Sequence, residues 1–193
     1  MQNLSFLQFN PQSASTSDRL ADIAAQVPIM DFASLTGTGG KRYGEAVVWR
    51  KAGDRWMVEA GWQRGPFANK SAGCGILLGK RIARRSVTNV WSAPSTLPGR
   101  GLAIRARARH YDVAVISLYF PPVPNYSAQM TAYYKTCDAL SSWVRKLPIW
   151  SSHRCVPVLC ADVNSGFGLQ RSPGTDEWTR IKDPFIRSAA PLC

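Results

Sequence analysis

A carboxylate and a carboxamide lie two residues apart in the stretch PVLCADVNSGFG, where an apolar run ends in Asp162 and Asn164. Side chains two positions apart on an extended backbone point to the same side. An ionised aspartate can hold Mg²⁺ or accept a proton from water, and an asparagine N–H can donate to a phosphoryl oxygen. The pair therefore favours phosphate chemistry at the end of a buried strand. The alternative is that both residues only shape an Asx turn.

Two basic clusters provide a second candidate function. Arg105, Arg107 and Arg109 alternate with alanines in IRARARH. On a strand their guanidinium groups would project from one face at intervals of roughly 6.6–6.8 Å, a spacing that suits the phosphates of a nucleic-acid strand. Lys80 and Arg81 open the second cluster, GKRIARR. Both clusters predict nucleic-acid binding, and the alternative is a basic, solvated strand face and turn.

The composition agrees with a polyanionic partner. The 193 residues contain 24 Lys and Arg against 12 Asp and Glu, which gives a formal net charge of +12. Such an excess of cations favours nucleic acid as the partner. A hydrophobic content of 45% over this length predicts one domain, residues 1–193. The five cysteines form no paired C-x-x-C units, so we expect free thiols rather than disulfides or a zinc site.

Many strands and few helices must position these residues. Apolar patterning predicts strands at 4–9, 29–35, 45–50, 55–62, 75–78, 87–93, 102–108, 113–119 and 156–161, and helices at 20–27 and 130–147. This order favours an α/β (α+β) sandwich of two packed sheets with helices outside, rather than a doubly wound parallel sheet. Little regular structure is predicted after Gly168.

Five stretches, taken in order, resemble the endonuclease/exonuclease/phosphatase superfamily. They are LSFLQFN, DRLADIAAQVPIMDFASLTGT, GCGILLGKRI, GRGLAIRARARHYDVAVISLYFPP and VPVLCADVNSGFG. Within the superfamily the chain is most similar to the endonuclease domains of non-LTR retrotransposons, over about residues 4–168. The resemblance implies the two-sheet sandwich of that superfamily.

The resemblance also implies a set of roles in the hydrolysis of nucleic-acid phosphodiesters, with DNA as the expected substrate. Asp162 would position or deprotonate the attacking water, and Asn164 would bind the scissile phosphate. Tyr119 would contact the phosphate from a neighbouring strand end. Mg²⁺ would be the cofactor, with Asn10 and Asp162 as its ligands.

The chain departs from the family pattern in two places. Gly37, in SLTGT, occupies the position of the family's metal-binding glutamate, and no acid lies between Asp31 and Glu45. No Ser-Asp-His motif follows Asp162, and we interpret His110 and His153 as surface residues. The sequence therefore predicts a C-terminally truncated domain with a degenerate metal site.

Two functions stay open on these grounds. One is a working Mg²⁺-dependent phosphodiesterase, and the other is an inactive, basic nucleic-acid-binding remnant, so that enzyme status itself is undecided. Nothing indicates an oligomer. The chain has neither a signal-peptide opening nor a membrane-spanning apolar run, so we expect an intracellular protein without membrane association, for which the nucleus is one candidate location.

Overall fold

Most of the chain is described by a computed structural model. It covers residues 3–27, 30–40, 47–62, 71–108, 110–124, 127–164, 169–171 and 178–180. The chain divides into two compact units: Met1–Tyr119 with Leu147–Asp162, and Phe120–Lys146 with Val163–Cys193. The expectation of one domain over the whole length stays a prediction.

The first sheet of the first unit comes from the N-terminal part of the chain. Its elements are β1 (Phe6–Phe9), the helix α1 (Ser17–Gln26), β2 (Phe32–Thr36), β3 (Val48–Ala52), β4 (Arg55–Gly61) and β5 (Gly73–Leu78). The strand order is β1-β2-β5-β4-β3. β1 and β2 are parallel, so their C-terminal ends lie at the same edge, whereas the other neighbours are antiparallel.

The second sheet completes the first unit. Its strands are β6 (Val87–Ser92), β7 (Gly101–Arg107), β8 (Asp112–Tyr119) and β9 (Cys155–Asp162), in spatial order β6-β7-β8-β9. β8 and β9 are parallel, with Tyr119 opposite Asp162, and the other pairs are antiparallel. The parallel pair again brings two strand C-termini to one edge.

The two sheets bury an apolar layer between them. Inward side chains include Phe32, Val58, Ile76, Ile104 and Val115, each at most 2% exposed. A polar contact crosses this layer, because the Ser34 hydroxyl on β2 donates to the Ser117 hydroxyl on β8 over 2.8 Å. Both serines are buried, so the pair satisfies groups that would otherwise be costly to desolvate.

The helix α1 covers the outer face of the first sheet. Its N-cap is Thr16, whose hydroxyl accepts from the Arg19 amide, which satisfies one of the first free N–H groups of the helix. Leu20 and Ile23 are buried against outward side chains of the sheet such as Leu35 and Met57. Truncation of a buried leucine of this kind costs about 2–5 kcal/mol.

The second unit contains α2 (Ser127–Arg145) and a short antiparallel pair, β10 (Leu169–Arg171) with β11 (Trp178–Arg180). One face of α2 is buried through Tyr133, Cys137, Leu140 and Val144. Neither described α-helix combines the length and the apolarity that crossing a bilayer requires.

The fold class is confirmed as an α/β sandwich of two mixed sheets. Every strand predicted before Gly168 is present, with ends that shift by a few residues. After Gly168 the structure describes two three-residue strands, β10 and β11, whose lengths are too short for an alternating pattern to reveal. The other residues of this segment lie outside the described ones, so the expectation of little regular structure there stays a prediction. The described cysteines, Cys74, Cys137, Cys155 and Cys160, are free thiols, and His110 and His153 are exposed.

Candidate functional site

Three strands of the first unit end beside one carboxylate. Asp162 ends β9, Thr36 ends β2 and Asn10 follows β1. The Asn10 Nδ2 donates to Asp162 Oδ2 over 2.9 Å, and the Thr36 hydroxyl donates to the same oxygen over 3.3 Å. The structure therefore brings Asn10 and Asp162 together across 152 positions of sequence.

The Asn10 carboxamide is held from its other side as well. Its Oδ1 accepts from the Gln12 amide over 2.8 Å. The Thr36 hydroxyl in turn accepts from Gln8 Nε2 over 3.4 Å. Both neutral partners of Asp162 are thus fixed by further hydrogen bonds, so that they are pre-oriented toward the carboxylate.

Tyr119 ends β8 and lies opposite Asp162 in the strand register. It is buried, with 7% of its surface exposed. The Arg100 guanidinium lies 5.1 Å from the centroid of the phenol ring, and its Nη1 donates to the Tyr119 carbonyl over 3.4 Å. Arg100 is a cation at this end of the sheets that the sequence analysis did not identify, because the PGRG stretch indicates only a turn.

The Cys74 thiol lies beneath the same end of the sheets. Burial raises its pKa to about 12, while Ser117 and Arg100 act in the opposite direction and Asp162 and Glu59 add to the rise. Arg100 and Asp162 therefore both act electrostatically on one buried atom. With so high a pKa, the thiol is neutral at physiological pH and is not a nucleophile.

Gly37 follows β2 with a φ of +66°, a conformation that favours glycine. A Cβ at this position would lie 2.6 Å from Asn10 Oδ1. The Asn10 carboxamide thus occupies the space that any side chain at position 37 would need.

Glu59, on β4, is the nearest buried acid in this part of the first sheet, and it serves another contact. It is 2% exposed, pairs with Arg50 Nη1 over 3.0 Å and accepts from the Thr38 hydroxyl over 2.5 Å. Because Glu59 alternates with Val58 and Ala60, which face the inter-sheet core, its side chain lies on the outer face. It holds the loop after β2 and does not join Asp162.

No protein-family model and no curated protein matches this sequence. Solved structures do match. The endonuclease domain of TRAS1, a telomere-specific non-LTR retrotransposon, has a TM-score of 0.51 at 14% identity, and the match covers 98% of this chain and 71% of that one. The AP endonuclease LMAP from Leishmania major has a TM-score of 0.59 at 10% identity, with coverages of 85% and 56%.

The catalytic domain of Xenopus laevis APE2 is similar too, with a TM-score of 0.58 at 12% identity and coverages of 84% and 59%. These neighbours share the two-sheet architecture described above. The chain has the fold of the endonuclease/exonuclease/phosphatase superfamily. The chain spans less than two thirds of the length of the LMAP and APE2 structures.

The residues at the Asp162 end do not fit the magnesium site that the superfamily resemblance implies. Mg²⁺ in proteins favours one or two carboxylates whose oxygens are free to face the ion. Here Asp162 Oδ2 already accepts two hydrogen bonds, and Asn10 Oδ1 is used by Gln12. Among the described residues, no group of three or more acidic, histidine or cysteine side chains could hold a metal ion.

Asn164 belongs to the second unit, and its role in binding the scissile phosphate stays a prediction. Its Nδ2 donates to the Phe120 carbonyl over 2.7 Å within that unit. Its φ of 48° is a left-handed conformation that asparagine tolerates. The amide N–H that was assigned to phosphate in the sequence analysis thus has a backbone partner in this conformation.

Those of the predicted nucleic-acid-binding residues that the structure describes lie at the other end of the same sheets. Arg107 ends β7 and pairs in register with Asp112 at the start of β8, whereas Tyr119 and Asp162 mark the opposite end. β8 is eight residues long, which separates the two ends by about 23 Å of extended chain. Lys80 and Arg81 follow β5, whose last residue pairs with the first residue of β2, so they also lie away from Thr36 and Asp162.

These basic side chains differ in whether they already form hydrogen bonds or ion pairs within the protein. Arg105 Nε donates to Asp112 over 2.7 Å, and its Nη2 donates to Ser152 over 3.1 Å. Arg81 is paired with buried Asp31, and Lys80 is paired with Asp54 over 2.8 Å. Arg107 is exposed, and its side chain has no polar partner among the described residues. Arg109 lies outside the described residues.

Proposed function

We propose that this chain is a nucleic-acid-binding domain with the endonuclease/exonuclease/phosphatase fold, and that the metal site of the fold is too poor in ligands to support hydrolysis. The observation that carries the proposal is the separation, within the first unit, of the basic residues from the Asp162 carboxylate. The basic residues Arg81 and Arg107 gather at one end of the two sheets, and Asp162 lies at the other. Binding at the basic end does not depend on the chemistry of the carboxylate end.

The charge of the chain supports nucleic acid as the ligand. A net charge of +12 favours a polyanion, and nucleic-acid backbones release counterions when cations contact their phosphates. Two of the similar solved structures, the TRAS1 domain and LMAP, are endonucleases by name. Nucleic acid as the ligand of this chain is an extension of that likeness.

The loss of hydrolysis follows from Gly37 and Asn10. The residue at position 37 has no side chain, and Asn10 fills the space where one would begin. Asp162 is left as the carboxylate of the site, with one oxygen bonded to two neutral donors. Removal of one of several cooperating catalytic groups usually abolishes most of the rate that the set provides.

Fluorescence anisotropy with a labelled DNA oligonucleotide tests the binding. We expect the logarithm of the association constant to fall linearly with the logarithm of salt concentration. Arg107→Ala should reduce the magnitude of that slope by about 1. Arg19→Ala, which removes the same charge from the exposed surface of α1, should leave the slope unchanged. Equal slopes for the two variants would show that the basic end is not the contact surface.

Hydrolysis dependent on Mg²⁺ is the second candidate, and the position of Asp162 opposite Tyr119 at the ends of two parallel strands favours it. Nicking of supercoiled plasmid in the presence of Mg²⁺ separates the two functions. We expect the native chain and the Asp162→Ala variant to nick at the same background rate. Nicking that disappears in Asp162→Ala would establish the second candidate and reject the loss of hydrolysis.

A further inference from the structure

A cleft of about 220 Å³ opens at the basic end of the first unit. It lies between the two sheets, where β1, β2 and β8 begin and β7 ends. Its apolar and cationic lining is provided by Leu4, Phe32, Ile82, Val113, Arg81 and Arg107. The two basic clusters, which are separate in sequence, therefore meet around one apolar depression.

Arg81 is held rigidly at the mouth of this cleft. Its Nε donates to Asp31 Oδ1 over 3.0 Å and its Nη2 donates to Oδ2 over 2.8 Å. Asp31 is buried, while the Arg81 side chain is 57% exposed. The bidentate contact fixes the guanidinium plane, and Nη1 has no partner among the residues that the structure describes.

Arg107 provides charge that no acid balances. Asp31 neutralises Arg81, and Asp112 neutralises Arg105. Arg107 is exposed at the end of β7, with no ion pair to any described residue. An anion that approaches the cleft therefore meets one fixed guanidinium and one uncompensated guanidinium.

Aromatic side chains extend the basic surface beyond the cleft. Arg84 follows Ala83 of the cleft lining, and its guanidinium lies 4.8 Å from the ring centroid of Trp49 and 4.6 Å from that of Trp56. Lys51 Nζ lies 4.5 Å from the Trp56 centroid. Cations interleaved with aromatic rings are typical of surfaces that bind single-stranded nucleic acids.

We propose that the cleft takes an unpaired nucleobase of a single-stranded nucleic acid, with the adjoining phosphates bound by Arg107 and Arg81. The inference rests on the proposed nucleic-acid binding and names the form of the ligand. An apolar lining suits a flat base and not a bare phosphate. A base within a duplex is stacked and paired, and extrusion from the duplex carries an energetic penalty, so the cleft should select single strands.

The volume agrees with this occupant. Pockets for drug-sized ligands usually measure roughly 300–1,000 Å³, and the cleft is smaller, at about 220 Å³. It therefore accommodates one base and not a larger cofactor. An acidic peptide would also meet the arginines, but it lacks the flat aromatic group that the apolar lining fits.

Three probes of equal length test the proposal by fluorescence anisotropy. They are a labelled single strand of roughly 12 nucleotides, within the site sizes known for single-strand binders, a duplex of the same sequence, and an abasic strand with the same number of phosphates. We expect the single strand to bind about tenfold more tightly than either of the others, which is the gain that burial of roughly 50–60 Å² of apolar surface provides.

Three variants test which residues produce the preference for the single strand. Ala83→Trp fills the mouth of the cleft from an exposed position and changes no charge, so it should remove the preference for the single strand and leave abasic binding unchanged. Arg107→Ala should weaken binding of both strands, and Arg19→Ala should weaken neither. Circular dichroism of each variant checks that it is folded.

The outcomes separate the inference from the proposed function. Equal binding of the single strand and the abasic strand would overturn the base-binding cleft and leave nucleic-acid binding intact. Displacement of the single strand by polyglutamate as effectively as by unlabelled single strand would also overturn it. Failure of all three probes to bind would reject the proposed function itself.

Discussion

The backbone of Gly37 passes so close to the Asn10 carboxamide that a Cβ on the glycine would lie 2.6 Å from Oδ1. Asn10 cannot simply move aside, because its Nδ2 donates to Asp162 and its Oδ1 accepts from Gln12. The orientation of Asn10 therefore depends on the absence of a side chain at position 37. An acid at this position would have to displace the residue that contacts Asp162.

Substitution of Gly37 should lower the free energy of unfolding by more than its left-handed backbone conformation alone explains. Gly53 has a similar φ of +61°, but nothing lies within 4 Å of its added Cβ. Gly53→Ala should lower the free energy of unfolding by about 1 kcal/mol, the cost of a left-handed residue with a side chain. Gly37→Ala should lower it by about 2–3 kcal/mol, because strain and disrupted hydrogen bonds add. Urea unfolding measures both, and equal losses would contradict the contact with Asn10.

Introduction of the glutamate that the superfamily resemblance implies at position 37 should fail for the same reason. We expect Gly37→Glu to lose stability at least as strongly as Gly37→Ala and to gain no Mg²⁺-dependent plasmid nicking. Isothermal titration with Mg²⁺ provides a readout that does not depend on activity. Tight Mg²⁺ binding by Gly37→Glu that is absent from the native chain would contradict this prediction, because it would show that Asn10 moves to make room for the glutamate side chain.

The buried ion pair on the outer face of the first sheet should be essential for stability. Glu59→Ala leaves Arg50, whose side chain is 19% exposed, without its carboxylate, and breaking a buried pair in this way costs about 3–5 kcal/mol. The matched control is Lys80→Ala, which removes the exposed partner of Asp54 and should not measurably change the urea midpoint. A small effect of Glu59→Ala would mean that the loop after β2 does not depend on this pair.

The Cys74 thiol should make the protein less stable in alkali. Its pKa is raised to about 12 in the folded state from 9.0, so the unfolded chain loses its proton first as the pH rises. The stabilisation is complete below pH 9.0 and declines toward pH 12, by at most about 1.4 kcal/mol per pH unit. Cys74→Ala should show a shallower decline above pH 9.0. Parallel stability curves for the two proteins would contradict this linkage.

The strands follow from features that the sequence carries, whereas the pairing of Asn10 with Asp162 was implied by the superfamily resemblance. Apolar runs such as that before Asp162 identify the strands, and polar residues directly after them lie at strand ends. Each parallel pair, β1 with β2 and β8 with β9, brings its own two strand ends to one edge, and the packing of one sheet on the other then places Asn10 beside Asp162. The resemblance to the superfamily supplied the expectation that Asn10, Tyr119 and Asp162 serve one site.

The roles of the arginines could not be predicted from the sequence. The alternation of Arg105 with Arg107 suggests one equivalent stripe, but Asp112 and Ser152 engage only Arg105. The meeting of Arg81 with Arg107 depends on the packing of one sheet against the other, which sequence spacing does not encode. Arg100 was missed because a residue in a turn carries no periodic signal.

The hydroxyls of Ser34 and Ser117, which touch in the middle of the sandwich, have a consequence for the uniqueness of the fold. Two purely hydrocarbon surfaces can slide or rotate against each other with little change in contact area, whereas a directional bond permits one alignment. Isosteric apolar replacement of both serines need not lower the melting temperature. It would instead allow the two sheets to adopt more than one alignment, which would change the geometry of both the carboxylate end and the cleft.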